Sequence, residues 1–170
     1  MKIQVYPEYF EGNISQVGVA VFARMTEDKY SRMYVMENGK IKSHYDKIES
    51  DGHNLPSKNE FTPVVHKFEN IAFGIICCMD IDRPDIVAST MEGLNNLNCQ
   101  YKVIAVSAHM THTGWFSGNS LSSYLHGAYI ILSNGCEYGV KSFIANPDGK
   151  KIDGSKIEIG KVHIHNCGVT

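Results

Sequence analysis

Three residues whose side chains can support acyl transfer follow predicted strands at separate points of the sequence. Cys78 comes at the end of the apolar run Ile71–Ile76, Glu8 ends the first strand, and Lys47 follows the strand Ile41–Tyr45. A thiol at the C-terminal end of a strand lies where α/β proteins place their chemistry. A glutamate can take the thiol proton, and a lysine can stabilise the thiolate and a developing oxyanion. If the three strand ends meet, they form a nucleophilic cysteine site.

The segment after Cys78 predicts a second source of oxyanion stabilisation. An acidic, proline-containing turn leads there into a helical pattern over Asp85–Asn98. The amides at the start of a helix favour an anion, and they lower the pKa of a nearby thiol. We therefore expect the backbone N–H of Met79 to be an oxyanion donor. Because neighbouring side chains of a strand alternate faces, Cys77 is expected to pack in the core.

The elements that must position these residues are mostly strands. The predicted strands are Lys2–Tyr6, Gly18–Arg24, Arg32–Glu37, Ile41–Tyr45, Val64–Phe68, Ile71–Cys77, Tyr101–Ser107, Tyr129–Ser133, Ser142–Ala145 and Ile157–Ile164. Asn38-Gly39 is a strong hairpin signal. Long loops are predicted over Asp46–Pro63 and His109–Gly118, with a short helix over Leu121–His126. The pattern is that of a strand-rich α/β layer protein.

Length, charge and cysteine content narrow the class of protein. The 170 residues suit one domain, 1–170, which buries roughly two-thirds of its unfolded surface without disulfides or a metal. The net charge of −2 gives no electrostatic support for nucleic-acid or anionic-membrane partners. No apolar run approaches the roughly 18 residues of a membrane span, and the N-terminus does not resemble a signal peptide. The odd count of five cysteines predicts reduced thiols and a cytoplasmic location.

Several motifs occur in the order found in the carbon–nitrogen hydrolase family, the nitrilase superfamily, which the sequence resembles from about residue 3 to 160. Pro7-Glu8 resembles the family's glutamate motif, and Tyr45-Asp46-Lys47-Ile48 resembles its lysine motif. The family's nucleophile motif is matched by Gly74–Asp85, with Cys78 at the nucleophile. Ile130–Gly135 and Ser142–Gly149 resemble two further motifs downstream.

This resemblance implies a fold, a reaction and a site. The implied fold is an α-β-β-α sandwich, and the implied triad is Glu8, Lys47 and Cys78. The implied reaction is hydrolysis of a non-peptide carbon–nitrogen bond in a small amide, carbamoyl or nitrile substrate through a cysteine thioester. No cofactor is implied, and a homodimer or larger assembly is expected.

One departure from the family pattern and one further family feature lead to additional expectations. Pro7-Glu8 stands almost at the start of the sequence, and the next strand follows about ten residues later. The chain therefore looks like an unusually short member with a reduced N-terminal helical layer. Many members carry a second glutamate between the lysine and the cysteine, and Glu60 is the best match for it here.

The histidines predict a pocket rather than a metal site. His109, His112 and Trp115 are expected to line the substrate pocket, because they lie on the loop after the strand that follows the nucleophile. A metal site needs three or four converging ligands, which neither this His pair nor the pair His163 and His165 supplies by itself. We expect no metal.

Two other functions compete with the hydrolase. The chain is alternatively a catalytically impaired nitrilase-like binding or assembly module, which keeps the pocket but fails to close it. A redox or metal protein that uses Cys77 and Cys78 ranks last, because adjacent cysteines have poor geometry for a disulfide. The identity of the substrate depends on the two long loops.

Overall fold

The computed structural model describes residues 1–111, 127–137 and 141–169. Its strands are β1 Lys2–Glu8, β2 Val19–Met25, β3 Ser31–Glu37, β4 Lys40–Asp46, β5 Val65–Phe68, β6 Ile71–Cys77, β7 Tyr101–Ala108, β8 Tyr129–Asn134, β9 Phe143–Ala145, β10 Lys151–Ile152, β11 Lys156–Ile159 and β12 Val162–Asn166. A 3-10 turn over Cys78–Asp82 leads into helix α1, Pro84–Asn96. The predicted helix Leu121–His126 lies outside the described residues.

The strands form two six-stranded mixed sheets that pack face to face. The first sheet has the order β11-β12-β1-β2-β3-β4, and the second has the order β10-β9-β8-β7-β6-β5. Side chains such as Val21 and Ile75 are completely buried in the core between them. Strand β6 is buried along its whole length, because β5 and β7 flank it while α1 and the first sheet cover its two faces. The expected strand-rich α/β sandwich is confirmed.

Helix α1 covers the second sheet, on the face away from the first. Its side chains Ile86 and Leu94 are fully buried. Gly74 of β6 permits the close approach of the helix, since a Cβ atom there would lie 3.0 Å from the Thr90 side chain. The helix begins at Pro84, where the missing N–H of proline costs no hydrogen bond.

The predicted hairpin at Asn38-Gly39 joins β3 to β4. Both residues have a positive φ, 48° and 80°, as a type I′ turn requires. The antiparallel register sets Arg32 opposite Asp46, where the two side chains form an ion pair. The hairpin thereby fixes where the chain leaves β4, one residue before Lys47.

The prediction of a single final strand over Ile157–Ile164 is wrong. The segment is a hairpin of β11 and β12, which turns at Gly160 with a φ of 59°. Apolar and polar residues alternate in each arm, but the alternation shifts by one position at Gly160-Lys161, and this shift marks the turn. Strand β12 then pairs in parallel with β1, the strand that carries Glu8.

A small apolar cluster lies on the outer face of the first sheet. Tyr6, Phe22 and Met36 are buried there, and Phe10 and Ile14 pack on them. Both covering residues belong to the loop between β1 and β2. Within the described part of the chain, a loop and not a helix therefore covers this cluster, as the short spacing after Glu8 predicts. No helix among the described residues has the length and apolar character needed to cross a membrane.

Candidate active site

A buried ion pair joins the ends of β1 and β4. The Lys47 ammonium lies 3.0 Å from Oε1 of Glu8, and the two residues are 0% and 1% exposed. Burial alone would lower the pKa of Lys47, but the negative charge of Glu8 and further neighbours raise it above its ordinary value. Lys47 is therefore a permanent cation at the strand ends. Its backbone N–H donates to the carbonyl of Ser31, which fixes it to β3.

Asp51 is a second carboxylate beside Lys47, and sequence reasoning missed it. Its Oδ2 atom accepts hydrogen bonds from Lys47 Nζ and from the Tyr9 hydroxyl, each at 3.0 Å. Burial raises the pKa of Asp51, but the hydrogen bonds from the His53 backbone N–H and from Lys47 outweigh burial and lower it. Asp51 is thus ionised, and Lys47 is held between two carboxylates.

Glu60, the expected second glutamate, does not lie in this cluster. Its side chain is exposed on the loop before β5, and it lines a different cavity together with Arg32 and Phe61. The structure therefore places Asp51, and not Glu60, next to Lys47.

The two oxygens of Glu8 have different surroundings. Oε1 accepts hydrogen bonds from Lys47 and from the Ser31 hydroxyl, the latter at 2.7 Å, and the Cys77 thiol lies 3.8 Å away. Oε2 is buried and has no hydrogen-bond partner among the described residues. A buried oxygen without a donor is costly, and such atoms call for a functional explanation. Oε2 is the oxygen of Glu8 that is available to accept a proton.

Cys77 and Cys78 occupy different environments, as the alternation of strand side chains predicts. Cys77 is fully buried between the sheets, where its thiol contacts Ser31 and Glu8 in addition to the core. Cys78 begins the 3-10 turn and lines an open cavity, although only 1% of the residue is exposed. Its φ of 46° lies in the left-handed region, a strained conformation that is concentrated at functional sites.

The Cys78 thiol is neutral in the resting protein. Burial and the negative charge of Glu8 raise the pKa of Cys78 well above its ordinary value. The charge of Lys47 and the His109 backbone N–H act in the opposite direction but do not cancel this rise. The thiol therefore needs a base to become a nucleophile, and Glu8 is the charged group that acts on it most strongly.

Two adjoining cavities open beside Cys78. The first has a volume of about 510 Å³ and is lined by Asp51, His53, Cys78, Met79, Asp82, His109, Met110 and Thr111. The second has a volume of about 670 Å³ and is lined by Tyr9, Phe10, Glu11, Arg24, Met25, His53 and His109. His53 and His109 line both cavities, and each ring makes a T-shaped contact with the Tyr9 ring. His109 is therefore at the pocket, as expected, whereas His112 and Trp115 lie outside the described residues.

Neither His109 nor the pair His163 and His165 belongs to a metal site within the described part of the chain, and His112 lies outside it. No group of three or more His, Cys, Asp or Glu side chains among the described residues has the arrangement of a metal site. His163 and His165 alternate with the buried residues Val162 and Ile164 of β12, so they share the outer face of that strand.

Comparison with known proteins identifies the fold. No protein-family model matches the sequence, and no curated protein matches it. An amidase of the nitrilase superfamily from Nesterenkonia AN1, solved as a cysteine-to-alanine mutant, superposes with a TM-score of 0.67 at 14% identity over 88% of this chain and 71% of that one. The chain has the nitrilase-superfamily fold.

Other solved structures of Nesterenkonia amidase share this nitrilase fold over a part of their length. One, NitN amidase, has a TM-score of 0.62 at 17% identity, over 78% of this chain and 56% of that one. Another, a glutamate-to-glutamine mutant with a TM-score of 0.66 at 16% identity, carries the acetamide moiety of fluoroacetamide covalently at its active-site cysteine. It is matched over 88% of this chain and 71% of its own. A likeness at these identities establishes the fold alone.

Proposed function

We propose that the protein is a carbon–nitrogen hydrolase that cleaves small amides through a thioester on Cys78. The observation that carries the proposal is the buried Glu8–Lys47 ion pair, whose two charges act on the thiol of Cys78, a residue that lines a cavity. The fold is that of amidases with a cysteine at the active site. A base, a fixed cation and a thiol are together the groups that nucleophilic acyl transfer requires.

Acylation begins when Glu8 takes the thiol proton on its free Oε2 atom. The Cys78 sulfur attacks the carbonyl carbon of the amide, and the carbonyl π electrons move to the oxygen. The Lys47 ammonium and the backbone N–H of Met79 stabilise this oxyanion. The carbon–nitrogen bond then breaks, and the nitrogen leaves as ammonia or an amine with the proton held by Glu8.

Deacylation uses the same groups on a water molecule. Glu8 takes a proton from the water, and the oxygen attacks the thioester carbon. When the carbon–sulfur bond breaks, the thiolate of Cys78 regains its proton from Glu8, and a carboxylic acid is released. Each half-reaction therefore ends with Glu8 ionised and Lys47 still protonated, so the cluster is ready for the next turnover.

The charges around the cavity favour uncharged or cationic acyl groups. Asp51 and Asp82 both line it, and Asp82 has no ion-pair partner within the described ranges. Burial and the neighbouring Glu49 raise the pKa of Asp82 to about 6, so the group is ionised at neutral pH. Residues 112–126 contain no Lys or Arg and therefore add no permanent positive charge. A substrate with a carboxylate near its amide would meet repulsion from Asp51 and Asp82.

The proposal is tested by ammonia release from a panel of short aliphatic amides. We expect the native protein to release ammonia, Cys78→Ala to release none, and Cys99→Ala to match the native protein, because Cys99 lies beyond α1 and lines neither cavity. Release that persists in Cys78→Ala would exclude the thioester mechanism. Absence of release from every amide would favour the alternative, a nitrilase-like binding or assembly module.

A further inference from the structure

Asp80 is a fully buried carboxylate, 0% exposed, that links the segment of Cys78 to the segment of Lys47. Its Oδ1 accepts a hydrogen bond from the Glu49 backbone N–H at 2.8 Å, and its Oδ2 accepts one from the Ile48 backbone N–H at 3.0 Å. These donors are the two residues that directly follow Lys47. Asp80 itself stands two residues after Cys78.

Tyr45 strengthens this link from β4. Its hydroxyl donates to Asp80 Oδ2 at 3.1 Å and accepts a hydrogen bond from the Cys77 backbone N–H. Asp80 and Tyr45 therefore join the end of β4 to the end of β6. Lys47 and Cys78 are each the first residue beyond these strand ends, so a shift of one strand end relative to the other moves Lys47 relative to Cys78.

We propose that Asp80 is a positioning residue that holds Lys47 and Cys78 in the relative geometry that thiol activation requires, an inference that rests on the proposed function. Hydrogen bonds to an ionised acceptor are about twice as strong as neutral ones, so a carboxylate fixes the Lys47 segment more firmly than an amide would. A misplacement of about 1 Å between reacting groups costs on the order of a hundredfold in rate. The charge of Asp80, and not only its shape, is therefore what the site uses.

The ionisation of Asp80 allows a positioning role to be distinguished from a packing role by experiment. Burial raises the pKa of Asp80 to about 6, against the hydrogen bonds from the Ile48 and Glu49 N–H groups. The titratable groups that face it are Tyr45, Lys47 and Cys77. Burial raises the pKa of Tyr45 and of Cys77 well above the ordinary values, and the pKa of Lys47 is raised as well. None of these three changes its charge near pH 6, whereas Asp80 does.

The test measures two rates from pH 5 to pH 8: kcat/KM for the amide that is hydrolysed best, and alkylation of Cys78 by iodoacetamide. In Asp80→Asn we expect both rates to fall at least about tenfold at pH 8. In the native protein, both rates should fall as the pH drops through about 6, because Asp80 becomes protonated. In Asp80→Asn this fall should be missing from the pH profile. Asp46→Asn is the matched control, since Asp46 precedes Lys47 directly but pairs with Arg32 outside the site. It should keep the native rates and the native profile.

Three outcomes decide the inference. A profile for Asp80→Asn that keeps the native shape would show that Asp80 acts only as a structural anchor, and this would overturn the proposal. A native loss near pH 6 that disappears in Asp82→Asn would assign the step to Asp82 and would overturn it too. If Asp80→Asn does not fold, the variant Tyr45→Phe decides. Loss of the hydrogen bond from the Tyr45 hydroxyl should raise the pKa of Asp80, so the fall in rate should move to higher pH. A fall in rate at the native pH would refute the role of Asp80.

These measurements also distinguish the inference from the proposed function. If no amide is hydrolysed but alkylation of Cys78 depends on Asp80 as described, the hydrolase proposal fails and the positioning role stands. If amides are hydrolysed equally well by the native protein and Asp80→Asn, the hydrolase proposal stands and the positioning role fails.

Discussion

Replacement of Lys47 by methionine is the perturbation with the largest expected effect on stability. The ammonium lies 3.0 Å from both Glu8 and Asp51, and the Glu8 residue is only 1% exposed. Methionine keeps most of the apolar stem but leaves the Glu8 carboxylate buried without its cation. Removal of one partner from a buried ion pair costs about 3–5 kcal/mol. Because a domain is stable by only about 5–15 kcal/mol, this loss is a large fraction of the total.

Urea unfolding at pH 7.5, followed by circular dichroism, measures this loss. The matched control is Lys42→Met, which breaks the 2.9 Å ion pair of Lys42 with Glu37 on the surface. Exposed pairs of this kind contribute about 0–1 kcal/mol. We expect the double variant Lys47→Met/Glu8→Gln to recover at least about 2 kcal/mol of the loss, since it removes the unpaired charge.

The comparison of the two single variants at pH 7.5 decides this prediction. A Lys47→Met protein as stable as Lys42→Met at pH 7.5 would refute the buried ion pair.

Three further predictions concern activity. Asp51→Asn should lower kcat/KM roughly tenfold, because Lys47 loses one of its two charged acceptors but keeps Glu8; steady-state kinetics at saturating and limiting amide would show an unchanged value if Asp51 only fills space. Glu60→Gln should change kcat/KM by less than about twofold, because Glu60 is exposed and lines a different cavity, and a larger loss would return Glu60 to the site. Succinamate should be hydrolysed at least about tenfold less efficiently than butyramide, which has the same chain length, because Asp82 and Asp51 repel its carboxylate; added salt should narrow the difference, and equal efficiency would contradict the charge argument.

The sequence predicted those helices, strands and turns that are determined by residues close together in the chain. The apolar run Ile71–Cys77 predicted β6 with the bounds that the structure shows, and Asn38-Gly39 predicted the hairpin before β4. Helix α1 begins one residue before the predicted Asp85 and ends at Asn96. In each case the residues that determine the element are neighbours in sequence, so the pattern contains the information. The hairpin at Gly160 was not predicted, although the alternation of apolar and polar residues shifts by one position at Gly160-Lys161 between its two arms.

The second carboxylate beside Lys47 could not be predicted, because a long loop supplies it. Asp51 and Glu60 both follow Lys47 in this loop, and spacing alone does not say which carboxylate folds back. The buried Asn54 side chain decides it, since it accepts from the Asp51 backbone N–H and donates to the carbonyls of Glu49 and Leu55. This local network turns Asp51 toward Lys47.

The role of Ser31 could not be predicted from the sequence either. A serine at the start of a strand gives no signal, yet its hydroxyl binds Glu8 and its carbonyl binds the Lys47 backbone. Such contacts depend on the register of β3 between β2 and β4, which only the assembled sheet defines.

The central claim is that the folded site activates Cys78, and selective labelling by fluoroacetamide tests it most directly. Peptide mass spectrometry would follow the rate at which each cysteine gains the acetamide moiety, in native protein and in urea. Exposure alone predicts that Cys78, at 1% exposed, reacts more slowly than the partly exposed Cys99. We predict instead that native Cys78 is labelled far faster than Cys99 and that unfolding abolishes the difference. Native Cys78 that reacts no faster than Cys99 would contradict the account.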